Sequence, residues 1–176
     1  LEIGLIYGIV ALGVYLSFRI LDYADLTCDG SFVLGAVACS LWVRAGHNPW
    51  LGLCWAIGAG VLAGLLTGAI RAFFRLPDVV SGVLVTFMLY SINLRALGGV
   101  PNLALLDVPN LFTGFAPLGI LGFVALGAVV GLYGLLCTDW GLALRSVGQN
   151  KRLAQNLGVR LGWMTALGLG LSNGLI

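Results

Sequence analysis

The sequence predicts an all-α fold, a polytopic bundle of membrane-spanning helices, and three observations carry that prediction. Of its 176 residues 60% are hydrophobic and only 9% are charged, with a mean hydropathy of +1.04, whereas ordinary soluble domains are about a quarter charged. The apolar residues gather into runs near the roughly 20 residues that a helix needs to cross a bilayer. Glycines recur at every fourth residue inside those runs, the spacing that lets helix backbones approach closely.

Taken in order, residues 1–18 reach spanning length, and they lack the basic leader and cleavage site of a signal peptide. The run from Ser31 to Val43 is short and spans if Thr27 to Gly30 forms its lower end as a bent or broken helix. Residues 49–70 and 116–137 span outright, and residues 79–94 span with small polar residues aboard. A sixth helix begins at residue 163 and reaches the last residue, 176. Five complete helices and the start of a sixth are therefore expected, in one domain over 1–176. The opening on Leu1 and the hydrophobic last run predict a piece of a longer protein.

Gly60, Gly64 and Gly68 define one smooth helix face, and the pairs Gly4 with Gly8 and Gly127 with Gly131 repeat the spacing. The 27 glycines are therefore read as packing residues. Orientation follows from the basic residues. If the loop 138–162 faces the cytoplasm, Arg19, Arg71, Arg75, Arg145, Lys151, Arg152 and Arg160 lie inside and only Arg44 and Arg95 outside.

Enzymatic chemistry finds little material here. The single histidine, His47, precedes Asn48 and Pro49 in a short turn, and Cys28, Cys39, Cys54 and Cys137 have no metal-ligand spacing. No GxSxG and no GxxxxGK[ST] occurs, and Ser31 and Ser172 read as capping or packing hydroxyls. Neither a cofactor nor nucleic acid is indicated by a net charge of +2 scattered along the chain.

The stretch TDWGLALRSVGQNKRLAQNLGVRLG, residues 138–162, is the most informative. Asn150 suits an N-cap and Gly158 a C-terminal stop, which predicts a short helix over 151–157 with Leu153, Ala154 and Leu157 on one side. Lys151 and Arg152 stand in its first turn, where the helix dipole disfavours cations. Flanked by Arg145 and Arg160, such a helix is suited to docking a cytoplasmic partner, although topology and contact with lipid phosphate account for each cation singly.

GLALRSVGQNKRLAQNLGVRLGWMTALGLGLSNGL resembles the cytoplasmic coupling segment of bacterial ABC-importer permeases of the branched-chain amino acid type. IGLIYGIVALGVYLSFRILDYADLTCDGSFVLGA is similar to their first two helices, and SGVLVTFMLYSINLRALGG resembles a middle helix of a less characterised branch. The resemblance implies the type II importer fold, pairing with a second permease subunit as homodimer or heterodimer, two cytoplasmic ATP-binding subunits and an extracytoplasmic solute-binding protein. Hydrolysis would belong to those partners and the path to this chain, in a bacterial inner membrane, for a small polar solute such as an amino acid. Gly98, Gly99 and Pro101 depart from the family pattern in the outer loop. A passive channel or secondary transporter, and more remotely an intramembrane enzyme, are the alternatives.

The acidic stretch DYADLTCDGSF, residues 22–32, then has two readings. Asp29 and Ser31 can cap the second helix while Asp22 pairs with Arg19. Alternatively, Asp25 and Asp29 line the translocation path, because ionisable groups at membrane depth face a cavity or a partner. Thr86, Tyr90 and Asn93, at spacings of four and three, form a polar stripe that is either a pore wall or a set of interhelical hydrogen bonds.

Overall fold

A computed structural model describes residues 1–99 and 117–176. Among these residues eight α-helices follow one another: α1 (Glu2–Tyr15), α2 (Cys28–Arg44), α3 (Pro49–Phe74), α4 (Asp78–Ala96), α5 (Pro117–Leu136), α6 (Asp139–Gln149), α7 (Lys151–Asn156) and α8 (Leu161–Leu175). α1 continues as a π-helical turn over Leu16–Ile20. The departures expected at Gly98 and Gly99 coincide with left-handed glycines ending α4, while that at Pro101 lies outside the described residues.

Among the described residues four helices are long and apolar enough to cross a membrane: Glu2–Ile20, Pro49–Phe74, Asp78–Ala96 and Pro117–Leu136. α2 has 17 residues, so at 1.5 Å per residue it falls short of the roughly 30 Å hydrocarbon core. The irregularity expected within Thr27–Gly30 lies just before it. Residues 21–27 are non-helical, and α2 is regular from Cys28 onward.

Boundaries follow local chemistry. Asn48 caps α3 by accepting from the Trp50 backbone N–H at 3.0 Å, with Pro49 at the first helical position, where its missing N–H costs nothing. α3 stops at Arg75, which adopts a left-handed conformation, and Pro77 precedes α4. Arg71 on α3 and Asp78 on α4 close that hairpin with an ion pair. Sequence reasoning missed α6. Its signals are Thr138, whose hydroxyl accepts from the Gly141 N–H, and the spacing of buried Gly141, Leu144 and Val147 along one face.

α8 lies in the middle of the bundle, and glycine puts it there. A Cβ on Gly60, Gly64 or Gly68 would collide with the Asn173 carbonyl oxygen, the Leu169 carbonyl oxygen and Ala166 respectively. The face read from the sequence thus seats α8 on α3. The other two glycine pairs differ: Gly4, Gly8, Gly127 and Gly131 are exposed and meet nothing within 4 Å. Fourfold spacing places residues on one face but does not say that a neighbour covers it.

Two apolar clusters hold the bundle. One joins Leu16, Ile20, Leu21 and Tyr23 to Leu132, Leu136, Leu144 and Leu169, and the other joins Ala63 to Val85 and Leu89. The outer faces stay apolar, with Phe73, Phe123 and Tyr133 all largely exposed, as suits helices solvated by lipid. The helix ends that carry Arg19, Arg71, Arg75, Arg145, Lys151, Arg152 and Arg160 meet at one end of the bundle. There Gly148 of α6 sits on the Ile20 carbonyl, and the Tyr23 hydroxyl reaches the start of α4.

Gly64→Ala is expected to destabilise the purified, detergent-solubilised protein by about 1–3 kcal/mol through overpacking. Gly58→Ala in the same helix, where a Cβ meets nothing within 4 Å, should leave stability unchanged or raise it by up to about 1 kcal/mol. Thermal unfolding of the two variants side by side measures the difference, and equal midpoints would remove the close contact as the reason for Gly64.

Candidate functional site

Residues 21–27 run extended through the bundle, and their side chains alternate as a strand's do. Leu21, Tyr23, Asp25 and Thr27 are buried, while Asp22 and Leu26 are exposed. The entry is strained: after the π-turn, Asp22 takes φ 52°, a left-handed conformation that Asp tolerates better than most residues. The backbone here leaves the helical pattern, and its N–H groups find local acceptors instead, that of Asp25 reaching the Tyr23 carbonyl at 3.0 Å.

Each inward residue is tied to a different helix. Tyr23 Oη lies 2.6 Å from Ser81 Oγ and 3.2 Å from the Asp78 carbonyl on α4, with the Arg71 guanidinium 5.2 Å from its ring centre. Thr27 Oγ1 is 2.9 Å from Thr67 Oγ1 on α3. Asp25 accepts from the Thr27 N–H at 2.9 Å through one carboxylate oxygen and from Asn173 Nδ2 of α8 at 2.6 Å through the other. Asn173 is fully used: Nδ2 also donates to the Leu169 carbonyl at 3.0 Å, and Oδ1 accepts from Ser31 Oγ at 2.6 Å. On the far side Thr86 Oγ1 donates to the Leu26 carbonyl at 2.8 Å.

The three acids therefore have separate fates. Asp25, 2% exposed, is the structural centre of the segment. Asp29 is exposed in the first turn of α2, whose N-cap, Thr27, makes no side-chain cap. Ser31 bonds Asn173 and the Cys28 carbonyl. Capping by Asp29 and Ser31 is thus replaced by the Asp25 carboxylate on the Thr27 N–H. The expected pair of Asp22 with Arg19 is not formed either; among the described residues the one ion pair is Arg71 with Asp78, because the left-handed turn leaves Asp22 and Arg19 both exposed. Ser172 does serve packing, donating to the Gly13 carbonyl at 2.7 Å.

The stripe on α4 also divides. Thr86 is committed to the Leu26 carbonyl, Tyr90 is 65% exposed, and Asn93 is buried with neither amide atom hydrogen-bonded among the described residues. A cavity of about 490 Å³ lies between α1, α2, α3, α5 and α8, walled by residues such as Phe32, Trp50 and Ile57, with Ser31 and Asn173 as its hydrogen-bonding polar groups. Asp25, Asp29, Thr86, Tyr90 and Asn93 are not among its lining residues. Sequence reasoning missed Asn173, Thr67, Tyr23 and Ser81. A lone Asn inside the apolar run LGLGLSNGL was the available signal for the first.

α7 matches the expected short helix closely. Asn150 Oδ1 accepts from the Leu153 N–H at 3.0 Å. The Gly158 N–H reaches the Gln155 carbonyl at 2.9 Å, and the Val159 N–H reaches that of Ala154 at 3.0 Å, closing the helix with Gly158 at φ 83°. Its apolar side is split, however: Ala154 is buried against the bundle, while Leu153 and Leu157 are 54% and 70% exposed. Arg145, Lys151 and Arg152 are exposed around them.

Apolar helices of spanning length, a broken helix entry held by buried polar groups, and a capped basic helix at one end are the marks of an integral membrane protein. The chain belongs to the family of permease components of branched-chain amino acid transport systems, whose family description matches residues 1–175. It is 40% identical over 98% of its length to a tyrosine transport system permease protein of Clostridioides difficile and 37% identical over 99% to an uncharacterised protein of Rickettsia prowazekii. It is 28% identical over 70% of its length to a guanosine ABC transporter permease protein of Bacillus subtilis. The chain spans 59% and 62% of the first two relatives' lengths. No solved structure matches it. Family and apolar helices together make it a multi-pass protein of the inner membrane, in a family of transport permeases and not of enzymes.

Asp25→Ala is expected to destabilise the folded protein by about 1–3 kcal/mol, since it strands the Thr27 N–H and one proton of Asn173 in the interior. Asp22→Asn should stay within about 0.5 kcal/mol of the parent, as an exposed change to a residue that accepts a left-handed backbone. Thermal unfolding in detergent compares them; equal effects would deny Asp25 its central place.

Proposed function

We propose that residues 1–176 form one transmembrane unit of the pore-forming subunit of an ATP-driven importer, which moves a small polar solute inward across the membrane. The observation that carries this reading is α7. It presents Leu153 and Leu157 to solvent on a helix closed at both ends, at the bundle end where seven of the nine cations gather. Basic ends face the cytoplasm. There 138–162 is the coupling segment, with Leu153 and Leu157 as anchors, Ala154 and Gly158 fixing the helix on the bundle, and Arg145, Lys151 and Arg152 meeting acidic groups of an ATP-binding subunit. Cations at a helix start lower its own stability by a few tenths of a kcal/mol, and a partner's charge offsets that cost.

In this reading α2 and α8 also lie in the bilayer, making five crossings and the beginning of a sixth, and lipid covers the outer faces. A second copy completes the pore, and an extracytoplasmic binding protein delivers the solute. Asp25, Asp29, Thr86, Tyr90 and Asn93 border the path or fix its walls. Support for Asn93 is its buried amide, without a hydrogen-bond partner among the described residues, and support for Asp29 and Tyr90 is their exposure on an apolar surface where a second subunit can stand. An amino acid or related solute is the expected cargo, in keeping with the relative named for tyrosine transport.

Truncating Leu153 and Leu157 together to Ala should weaken binding of the ATP-binding subunit by roughly 1–3 kcal/mol, as loss of small interface anchors does. Pull-down with the full-length permease, and solute uptake into proteoliposomes, give the result. Wild-type association and uptake, or uptake that persists without ATP, would overturn the reading. Asn93→Leu is expected to keep the fold and gain up to about 1 kcal/mol, because it removes an unpaired buried amide, while altering the rate or selectivity of uptake. Unchanged uptake would take Asn93 off the path.

A further inference from the structure

We propose that Asn173 is a positioning residue, a clasp through which movement of α6 and α7 is passed to the membrane core; this rests on the coupling role given above to residues 138–162. The chain of contacts starts at α6. A Cβ on Gly148 would collide with the Ile20 carbonyl oxygen, and the Leu21 side chain lies against Gly168 and Leu144. α6 therefore cannot shift without displacing residues 20–21, because two backbones in contact leave no slack to absorb the motion.

From there the displacement enters the non-helical segment, whose backbone bonds back to the π-turn only at Leu21 and Tyr23. It is held instead at discrete points. Tyr23 and Thr27 each hold the segment to one helix, α4 and α3 respectively. Asp25 differs, since Asn173 takes its carboxylate with one end of the amide and Ser31 of α2 with the other. One side chain thus joins α8, the extended segment and α2. Ser31 and Asn173 also border the 490 Å³ cavity, so the clasp stands between the moving end and an open volume. A carboxylate 2% exposed has strong reason to keep its donor, since a buried charge that loses its partner is costly.

The bond pattern dictates an informative pair of changes. Asn173→Asp sets two carboxylates against each other. Adding Asp25→Asn reverses the roles: Asn at 25 still accepts from the Thr27 N–H and now donates to Asp at 173, which still accepts from Ser31. The swap restores the bonds joining positions 25 and 173 to each other and to Ser31, gives up the bond to the Leu169 carbonyl, and moves the charge from the extended segment to α8.

The test uses the full-length permease assembled with its ATP-binding subunits in proteoliposomes, with radiolabelled L-tyrosine as probe. The readout is solute moved per ATP hydrolysed, which a merely structural role would not alter in assembled, monodisperse complexes. Asn173→Asp and Asn173→Leu should each lower that ratio by about tenfold, and the swap should restore it to within about threefold of the parent. A parental ratio in both single variants, or a swap no better than Asn173→Asp, would overturn the clasp. If the single variants do not assemble, Ser31→Ala, which breaks the link to α2 alone, takes their place with the same two outcomes. Should the parent bind no ATP-binding subunit or move no tyrosine, the coupling role or the cargo is wrong. The clasp is then read from hydrogen exchange: amides 21–27 must lose protection in Asn173→Asp and regain it in the swap, and unchanged protection overturns it.

Discussion

Seven residues of non-helical backbone in a membrane protein impose the constraint on which the rest of this bundle depends. Buried non-helical backbone must find its hydrogen bonds within the protein, and each unsatisfied group in hydrocarbon costs several kcal/mol. Local bonds answer part of that demand: the Leu21 and Tyr23 N–H groups reach the Leu16 and Ser17 carbonyls, the Asp25 N–H the Tyr23 carbonyl and the Thr27 N–H the Asp25 carboxylate. The surrounding helices complete it, α4 with Thr86 on the Leu26 carbonyl, and they hold the segment's buried side chains through Thr67 of α3, Ser81 of α4 and Asn173 of α8. Bringing polar side chains from three helices to one extended stretch requires α8 to lie deep against α3. That depth in turn requires Gly60, Gly64 and Gly68 in place of any residue with a Cβ. The glycine face and the acidic stretch are two halves of one requirement.

What the sequence revealed follows from the range of each signal. Hydropathy over some 20 residues is a bulk property, so the long helices and α7 with its Asn150 cap and Gly158 stop were all legible, each resting on local chemistry. The partners of the acids were not. Asp29 and Ser31 have the residue types and the spacing to cap α2, yet the cap falls to Asp25. Its partner Asn173 lies 148 positions away, a separation no window spans. Gly4 and Gly127 carry the same spacing as Gly60 and meet nothing within 4 Å, since spacing fixes a face while the neighbour is a matter of tertiary packing. Glu2–Ile20 reads as a spanning run, and nothing in its hydropathy marks the π-turn at Leu16–Ile20.

The π-turn prepares the extended segment. Widening the last turn sends the Leu21 N–H to the Leu16 carbonyl at 3.2 Å and the Tyr23 N–H back to the Ser17 carbonyl at 3.0 Å. Helix end and extended chain therefore share a graded handover with no abrupt stop. Such a turn re-aims the chain without a proline or glycine at the bend, consistent with the tendency of π-bulges to mark functional positions. Asp22, left-handed and exposed, is where the remaining strain sits.

Cations gather at the end where α6 and α7 leave the bundle, while the buried carboxylate of Asp25 makes no ion pair among the described residues and is held by an amide and a backbone N–H. A salt bridge at that depth would pay a desolvation penalty for both ions and fix the segment with a strong, poorly reversible contact. Neutral donors hold the same carboxylate with directional bonds of modest net strength. A segment secured in this way is ordered enough to seat four helices correctly. Because the buried carboxylate keeps its donors, the segment moves with α8 and α2 when a neighbouring helix shifts, as alternation between two arrangements of a packed bundle requires.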